Sequence, residues 1–321
     1  MILNELEKGR KIEIVSIDEI DENAFITPVA GMGTPVVIFE KIPSGKKALF
    51  SLNLLEKYFK KEVDFISPIE AGGINSTIPL VVAAEKRKPA IDANGMGRAF
   101  PELQMVTFHI YGIKATPMAL SDERGNAVIL DTINNYWAEK IARVITVRVG
   151  GSAWIAIYPT YGKLFKNAAI ENSISFAIEI GETINEAKKM GRNPIDALIE
   201  LVRGYELFKG KIVDVQRFNI GGFARGEAVI QGLEDYKNSK MTIKFQNENL
   251  VAIRDGEIIA SVPDLITILD SETGKPITTE RLKYGLRVLV IGFPCNAKWR
   301  TDMGLKVVGP RYFGYDIDYN R

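Results

Sequence analysis

The stretch VDFISPIEAGGINSTIPLVVAAEKRKPAID, residues 63–92, decides the fold. Its first eight residues (63–70) form an apolar run that is typical of a buried strand. A helical pattern follows at 76–88, with Ser76 as the expected N-cap and a proline in the first turn, where its missing N–H costs little. Pro89 ends that helix, and the next residues, AID, enter another strand. Strand, helix and strand predict a βαβ unit with parallel pairing and a right-handed crossover.

The flanking sequence has the same alternation of short apolar runs and helical patterns. AFITPVA (24–30) predicts a strand that precedes this unit. Helices are expected in four further segments: LFSLNLLEKYFKK (49–61), NNYWAEKIARVITVRV (134–149), SISFAIEIGETINEAKKMG (173–191) and NPIDALIELVRG (193–204). The sequence therefore predicts an α/β fold in which helices cover a largely parallel sheet.

The pattern changes from about Gly210 onwards. Short, alternating, β-branched runs replace the helical periodicity, and Asp255-Gly256 between two of them is a strong hairpin signal. This part predicts a separate all-β domain of the barrel or sandwich type. We expect an α/β domain at 1–207 and a β domain at 208–306, with the aromatic tail 307–321 packing back on the α/β domain.

Composition excludes several classes of protein. Lys plus Arg number 41 and Asp plus Glu number 40, so no excess positive charge attracts nucleic acid or anionic lipid. No apolar run is long enough to cross a membrane. A single cysteine, Cys295, excludes an internal disulfide framework and is typical of a reducing compartment. The sequence predicts a cytoplasmic protein that binds a small molecule and neither nucleic acid nor a membrane.

Polar and glycine-rich loops follow the strands of the predicted βαβ unit. AGGINS (71–76) follows the first strand, and ANGMGRAFPE (93–102) follows the second. Parallel neighbours place their carboxyl ends at one edge of the sheet, where open α/β sheets bind ligands. A third loop, GMGTP (31–35), follows the strand at 24–30. If that strand is parallel to the other two, this loop lies at the same edge of the sheet. The sequence therefore predicts a binding crevice at this edge.

Residue types in these loops suit a small, polar ligand. Glu70, Asp92 and Glu102 are candidates for acid–base catalysis if burial shifts their pKa values. The N–H groups of Gly72 and Gly73 face outward at a helix start, and Arg98 can clamp a carboxylate. The predicted substrate-binding residues are Gly72, Gly73, Asn75, Ser76, Asn94, Gly95, Gly97 and Arg98. These residues do not by themselves specify a reaction.

Simpler interpretations stand beside these. The glycines can serve only tight turns, and GMGRAF does not match the dinucleotide fingerprint. His109, in the predicted strand VTFHIYGI, is expected to pack or form a hydrogen bond, and Cys295 to be a buried small hydrophobe. With one His and one Cys, no zinc site of the usual kind can form. A carboxylate-bound metal stays open but has no motif to support it, so no cofactor or metal is predicted.

Blocks along the whole chain also resemble those of the S-methyl thiohydantoin desulfurase family, which is associated with hydantoinase/oxoprolinase systems. The blocks are EAGGINSTIPLVVAAEKRKPAIDANGMGRAFPELQM (70–105), VPDLITILDSETGKPITTERLKYGLRVLVIGFP (262–294), KWRT (298–301) and VGPRYFGYDIDY (308–319). The resemblance implies an α/β domain carrying a separate β domain. Such proteins usually begin with a further glycine-rich loop. Either the sequence starts inside a longer chain or this member lacks that loop.

The resemblance implies a hydrolase that acts on a hydantoin-like five-membered ring. Removal of methanethiol from an S-methylated thiohydantoin needs water attack at an amidine-like carbon, for which carboxylates with raised pKa values suffice. The alternative is a non-catalytic protein that binds or hands over the intermediate of a hydantoinase/oxoprolinase-type partner enzyme. A homo-oligomer is compatible with both.

Overall fold

The computed structural model describes residues 1–33, 37, 45–220 and 223–319. The chain forms two compact units, Met1–Ser175 and Phe176–Arg321. The predicted α/β class is confirmed, because helices cover a partly parallel sheet in the first unit and an antiparallel sheet forms in the second. Division of the chain into an α/β domain at 1–207 and a β domain at 208–306 stays a prediction.

The first unit contains short strands and helices in alternation. Its helices are α1 (Ile2–Glu7), α2 (Gly45–Phe59), α3 (Ile78–Lys86), α4 (Thr107–Ile110), α5 (Asn135–Arg148), α6 (Gly162–Ala168) and the start of α7 (Ser173–Lys189). Its strands are β1 (Ile14–Val15), β2 (Phe25–Gly33), β3 (Phe65–Ser67), β4 (Ala90–Ile91), β5 (Ala93–Asn94), β6 (Met118–Ser121), β7 (Ala127–Leu130), β8 (Ser152–Ala156), β9 (Thr160–Tyr161) and β10 (Ile170–Glu171).

The main sheet of this unit has the strand order β1-β4-β3-β2-β8-β6-β7. Strands β1, β4, β3 and β2 pair in parallel, whereas β8, β6 and β7 continue the sheet in antiparallel fashion. The predicted βαβ unit is β3-α3-β4, and β2 is parallel to β3 as the crevice hypothesis requires. All three strands therefore end at the same edge.

Helix α3 begins one residue later than an N-cap at Ser76 would place it. Its N-cap position is Thr77, and its proline lies in the first turn as expected. The prediction of Ser76 as N-cap is wrong, because the Ser76 hydroxyl turns back and accepts a hydrogen bond from the Gly72 N–H at 3.1 Å. The helix ends where Arg87 takes a left-handed conformation, two residues before Pro89.

The segment VTFHIYGI is not a strand, so that prediction is wrong. Residues Thr107–Ile110 form α4. Both the N–H and the hydroxyl of Thr107 donate to the Gly95 carbonyl, at 2.6 and 3.1 Å. These two hydrogen bonds hold the start of α4 against the loop that follows β4. Apolar alternation alone does not distinguish such a short helix from a strand.

Apolar side chains from α2, α3 and the sheet form the core of the first unit. The cluster includes Phe25, Val29, Leu52, Leu55, Ile66, Ile78, Val82 and Trp154. Helix α2, which precedes the βαβ unit, and its crossover helix α3 thus each bury one face on the sheet, and this packing holds the carboxyl ends of the strands in place.

The second unit is built around a seven-stranded antiparallel sheet in the order β15-β14-β13-β12-β11-β17-β16. Its strands are β11 (Tyr205–Ile220), β12 (Phe223–Gly232), β13 (Lys240–Gln246), β14 (Glu248–Arg254), β15 (Glu257–Ser261), β16 (Leu265–Asp270) and β17 (Arg287–Phe293), and its other helices are α8 (Pro194–Val202) and α9 (Asp302–Val308). The predicted hairpin turn joins β14 to β15, with Asp255 and Gly256 at positive φ.

Within this unit, helices α7 and α8 pack on one part of the sheet. Side chains of α8, including Ile195, Leu198 and Val202, form a cluster with Leu289 and Ile291 of β17. The aromatic tail also contacts this unit. The Lys244 ammonium lies 5.9 Å from the ring centre of Tyr315, and the Tyr319 hydroxyl lies 3.1 Å from both carboxylate oxygens of Asp264. Packing of the tail on the α/β part stays a prediction.

Candidate functional site

The loops that follow β3 and β4 lie side by side. The Ala71 N–H donates to the Arg98 carbonyl at 3.1 Å, and the Gly95 N–H donates to the Ile69 carbonyl at 3.0 Å. These two backbone hydrogen bonds join residues 69–71 to residues 95–98. The prediction that the two loops meet at one edge of the sheet is confirmed.

Glu70 lies at the junction of the two loops. Its carboxylate accepts a hydrogen bond from the Asn75 amide at 2.7 Å and another from the Phe100 backbone N–H. Burial of the carboxyl raises its pKa to about 7, and the two hydrogen bonds oppose that rise without cancelling it. Near neutral pH the group is therefore present in both its ionised and its protonated form, which suits an acid–base catalyst.

Asn75 connects this carboxyl to strand β2. The Asn75 side-chain oxygen accepts from the Gly31 N–H at 2.8 Å, and its amide nitrogen donates to the Gly31 carbonyl at 3.1 Å. The prediction of a loop from Gly31 onwards is wrong for its first three residues, because strand β2 continues to Gly33 by pairing with β8, and Gly31 reaches the site as part of that strand. The last residues of the predicted loop, Thr34 and Pro35, lie outside the described residues.

The turn that precedes α3 has unused backbone donors. The Gly72 N–H donates to Ser76 within the turn, so the expectation that it faces outward is wrong. The N–H groups of Gly73, Ile74 and Asn75 form no hydrogen bond with any described part of the chain. Gly73 is exposed, with open space where a Cβ atom would stand. The N–H groups of such a turn can donate hydrogen bonds to a carbonyl or carboxylate oxygen of a ligand.

Internal contacts shape the loop that follows β4. The buried Asn94 side-chain oxygen accepts from the N–H groups of Met96 at 2.8 Å and Gly97 at 2.7 Å, and Gly97 has a φ of +65°. A Cβ atom on Gly95 would lie 2.8 Å from the Phe108 ring. Asn94, Gly95 and Gly97 therefore have structural roles, and their roles in substrate binding stay predictions.

Asp92 faces the first turn of α7. Its carboxylate accepts from the N–H groups of Ile174 at 2.6 Å and Ser175 at 3.1 Å, and from the Ser175 hydroxyl. Charged acceptors at a helix N-terminus stabilise the helix. Asp92 therefore anchors α7 to the loop that carries the site, and its proposed catalytic role stays a prediction.

Arg98 and Glu102 occupy the second half of the loop. Arg98 is buried, its Nε donates to the Ala99 carbonyl at 3.2 Å, and its guanidinium lies 4.6 Å from the centre of the Phe100 ring. Glu102 accepts a hydrogen bond from the Gln104 side chain. Arg98 therefore lies beside the residue whose N–H contacts Glu70, which places a cation near the proposed crevice.

Side chains that the sequence did not indicate hold the end of this loop. Glu139 accepts from the Leu103 N–H at 2.9 Å, Arg143 donates to the Pro101 carbonyl at 2.9 Å, and the buried Tyr158 hydroxyl donates to the Leu103 carbonyl at 2.9 Å. Glu139 and Arg143 also pair with each other at 2.7 Å. Their spacing of four residues on a helix was the one available signal, and it does not reveal the loop as their target.

His109 and Cys295 lie in settings that agree with their expected packing roles. The His109 Nδ1 is 3.0 Å from the Asn135 amide nitrogen, which makes it an acceptor, and burial lowers the pKa of the ring. Cys295 is buried, which raises the pKa of its thiol to about 11.

Over the described ranges, no three His, Cys, Asp or Glu side chains converge on a metal position, and no helix is long and apolar enough to cross a bilayer.

Comparison with known proteins identifies the family. A crystal structure of a protein from Chromobacterium violaceum, a structural genomics target, has the same fold with a TM-score of 0.82 at 20% identity, over 99% of this chain and 92% of that one. No curated protein matches the chain. The S-Me-THD-like N-terminal domain matches residues 1–132, and the S-Me-THD-like C-terminal domain matches residues 133–321. Because the two matches together span the sequence, this protein belongs to the S-Me-THD-like family.

Proposed function

We propose that this protein is a hydrolase that removes the methylthio group from an S-methylated thiohydantoin or a closely related five-membered ring. The observation that carries the proposal is the Glu70 carboxyl, whose pKa is about 7, beside a turn with backbone N–H groups that form no hydrogen bond among the described residues. Membership of the S-Me-THD-like family supports a thiohydantoin-related substrate.

One carboxyl group suffices for both halves of the reaction. Ionised Glu70 takes a proton from water as the oxygen attacks the ring carbon that carries the sulfur. The electrons of the C=N bond move to the ring nitrogen, which takes that proton from Glu70. Glu70 then takes the hydroxyl proton of the tetrahedral intermediate as the carbonyl forms and the C–S bond breaks. The departing sulfur takes this second proton from Glu70, and the products are methanethiol and a hydantoin.

The remaining residues of the crevice provide binding. The N–H groups of Gly73 and Ile74 suit a ring carbonyl oxygen, because backbone donors at a helix start favour partial negative charge. Arg98 would attract an acidic arm on the ring. Glu102 is the second candidate carboxylate, whereas the hydrogen bonds of Asp92 to the start of α7 favour a supporting role.

The test is release of methanethiol from an S-methylated thiohydantoin that carries a carboxylate arm. We expect the protein to turn over this compound, with Glu70→Gln reducing the rate about 100-fold or more and Glu102→Gln retaining a larger share of it. If Glu102→Gln abolishes turnover and Glu70→Gln does not, the assignment of Glu70 is wrong.

A failure to turn over any hydantoin-like ring would overturn the hydrolase proposal. Stable co-purification with a hydantoinase/oxoprolinase-type enzyme in that case would support the non-catalytic alternative. The same preparations, measured by mass in solution, would reveal whether the chain forms a homo-oligomer.

A further inference from the structure

The Asn75 side chain has its amide orientation fixed by strand β2. Its oxygen faces the Gly31 N–H at 2.8 Å, so its nitrogen faces both the Gly31 carbonyl at 3.1 Å and the Glu70 carboxyl at 2.7 Å. The opposite orientation would place the amide oxygen against two acceptors and the amide nitrogen against a donor. Only one orientation satisfies all three hydrogen bonds.

Asn75 takes the place of a neighbouring strand at this point. Strand β3 pairs with β2 only as far as Pro28, three residues before Gly31. The amide of Asn75 supplies an acceptor for the Gly31 N–H and a donor for the Gly31 carbonyl, as a residue of a neighbouring strand would. Because both of its polar atoms are already used in this way, Asn75 has little capacity left for a ligand.

We propose that Asn75 is a positioning residue, which holds the Glu70 carboxyl against the end of β2 rather than binding the substrate. The proposal rests on the assignment of Glu70 as the acid–base group. It differs from the sequence-based expectation, in which the Asn75 side chain itself contacts the substrate.

The hydrogen bond from Asn75 also favours the ionised form of Glu70. Burial raises the pKa of this carboxyl, and Asn75 and the Phe100 N–H are the groups that oppose the rise. The charged side chains on the facing loop are Asp92, which accepts from the start of α7, Arg98, which stacks on Phe100, and Glu102, which accepts from Gln104. Without the Asn75 donor, the Glu70 pKa should rise further.

The direct test is a carboxyl-carbon NMR titration of protein labelled at glutamate, with the Glu70 signal assigned by its loss in Glu70→Gln. We expect Asn75→Ala to raise the Glu70 pKa by about one unit or more. Asn75→Asp keeps an oxygen for the Gly31 N–H but removes the donor and adds a like charge, so it should raise the pKa as well.

Thr77→Ala is the matched control, because the Thr77 hydroxyl donates to the Ile74 carbonyl at 3.0 Å in the same turn. This variant should lower stability and leave the Glu70 pKa unchanged. In the wild type and the Asn75 variants, the acidic limb of the kcat/KM profile should follow the NMR value while KM changes little.

The titration separates this proposal from the proposed function. An unchanged Glu70 pKa in both folded Asn75 variants would overturn the positioning role, whatever the activity. The expected NMR shift in a protein without turnover would support the positioning role and overturn the hydrolase proposal. A large rise in KM with an unmoved pH profile would indicate substrate binding by Asn75 and overturn the positioning role.

Discussion

Replacing Glu70 with Gln should make the protein more stable at alkaline pH while it removes the proposed acid–base group. Gln keeps an oxygen that accepts from Asn75 and from the Phe100 N–H, but it cannot ionise. In the wild type, burial disfavours the ionised form of the Glu70 carboxyl and raises its pKa from the ordinary value of 4.5 to about 7 in the folded state. Catalytic groups held in this way commonly lower stability.

The magnitude follows from the difference between these two pKa values. Because the pKa is raised on folding, the contribution of Glu70 to stability is fully present below pH 4.5 and is lost as the pH rises through about 7. At about 1.4 kcal/mol per pH unit, the difference amounts to roughly 3 kcal/mol. The residue is partly exposed, so solvent screening places the expected loss nearer 2 kcal/mol.

Equilibrium urea unfolding of the wild type and of Glu70→Gln at about pH 5 and about pH 8 measures this loss. Effects of the substitution that do not depend on pH are the same at both pH values, so they cancel when the two free-energy differences are subtracted. We expect the stability of Glu70→Gln relative to the wild type to increase by roughly 2 kcal/mol across this range. Glu62→Gln is the control, because the Glu62 side chain is 73% exposed. If Glu70→Gln and the wild type show the same pH dependence, the carboxyl is not desolvated as described.

Arg98→Ala should weaken binding of an acidic substrate roughly tenfold to a hundredfold, and a calorimetric titration showing normal affinity with reduced thermal stability would contradict this. Asp92→Asn should lower the free energy of unfolding by about 1–2 kcal/mol through weaker capping of α7, which denaturant titration would reveal. Gly95→Ala should cost roughly 1–3 kcal/mol, because its Cβ would meet the Phe108 ring at 2.8 Å, and unchanged stability would exclude that clash. Cys295→Ser should retain turnover, because the buried thiol has a pKa of about 11, and loss of activity in the folded variant would indicate a thiolate mechanism.

The framework of the site could be predicted because its signals are local. The apolar run at 63–70, the first-turn proline of α3 and Pro89 together specify strand, helix and strand. Parallel pairing then requires that the two following loops meet, as the hydrogen bond between Ala71 and Arg98 confirms. The Asp255-Gly256 hairpin was predictable for the same reason, since that dipeptide favours positive φ.

Contacts between distant segments could not be predicted. Asp92 caps a helix that begins at Ser173, and the Asn75 amide pairs with the backbone of Gly31. In both contacts the partner is a backbone group, which every strand or helix start offers, so the local sequence does not indicate which segment is contacted. The apolar pattern around His109 predicts a strand where the structure has a short helix, because it is too short to distinguish the two.

The most direct test of the proposed role of Glu70 is a crystal structure of the Glu70→Gln variant with an S-methylated thiohydantoin bound. We expect the sulfur-bearing carbon of the ring to lie beside residue 70 and a ring carbonyl to accept from the N–H groups of Gly73 or Ile74. A ring bound away from the loops at 70–76 and 92–102, in a variant that still binds the compound as tightly as the wild type, would contradict it.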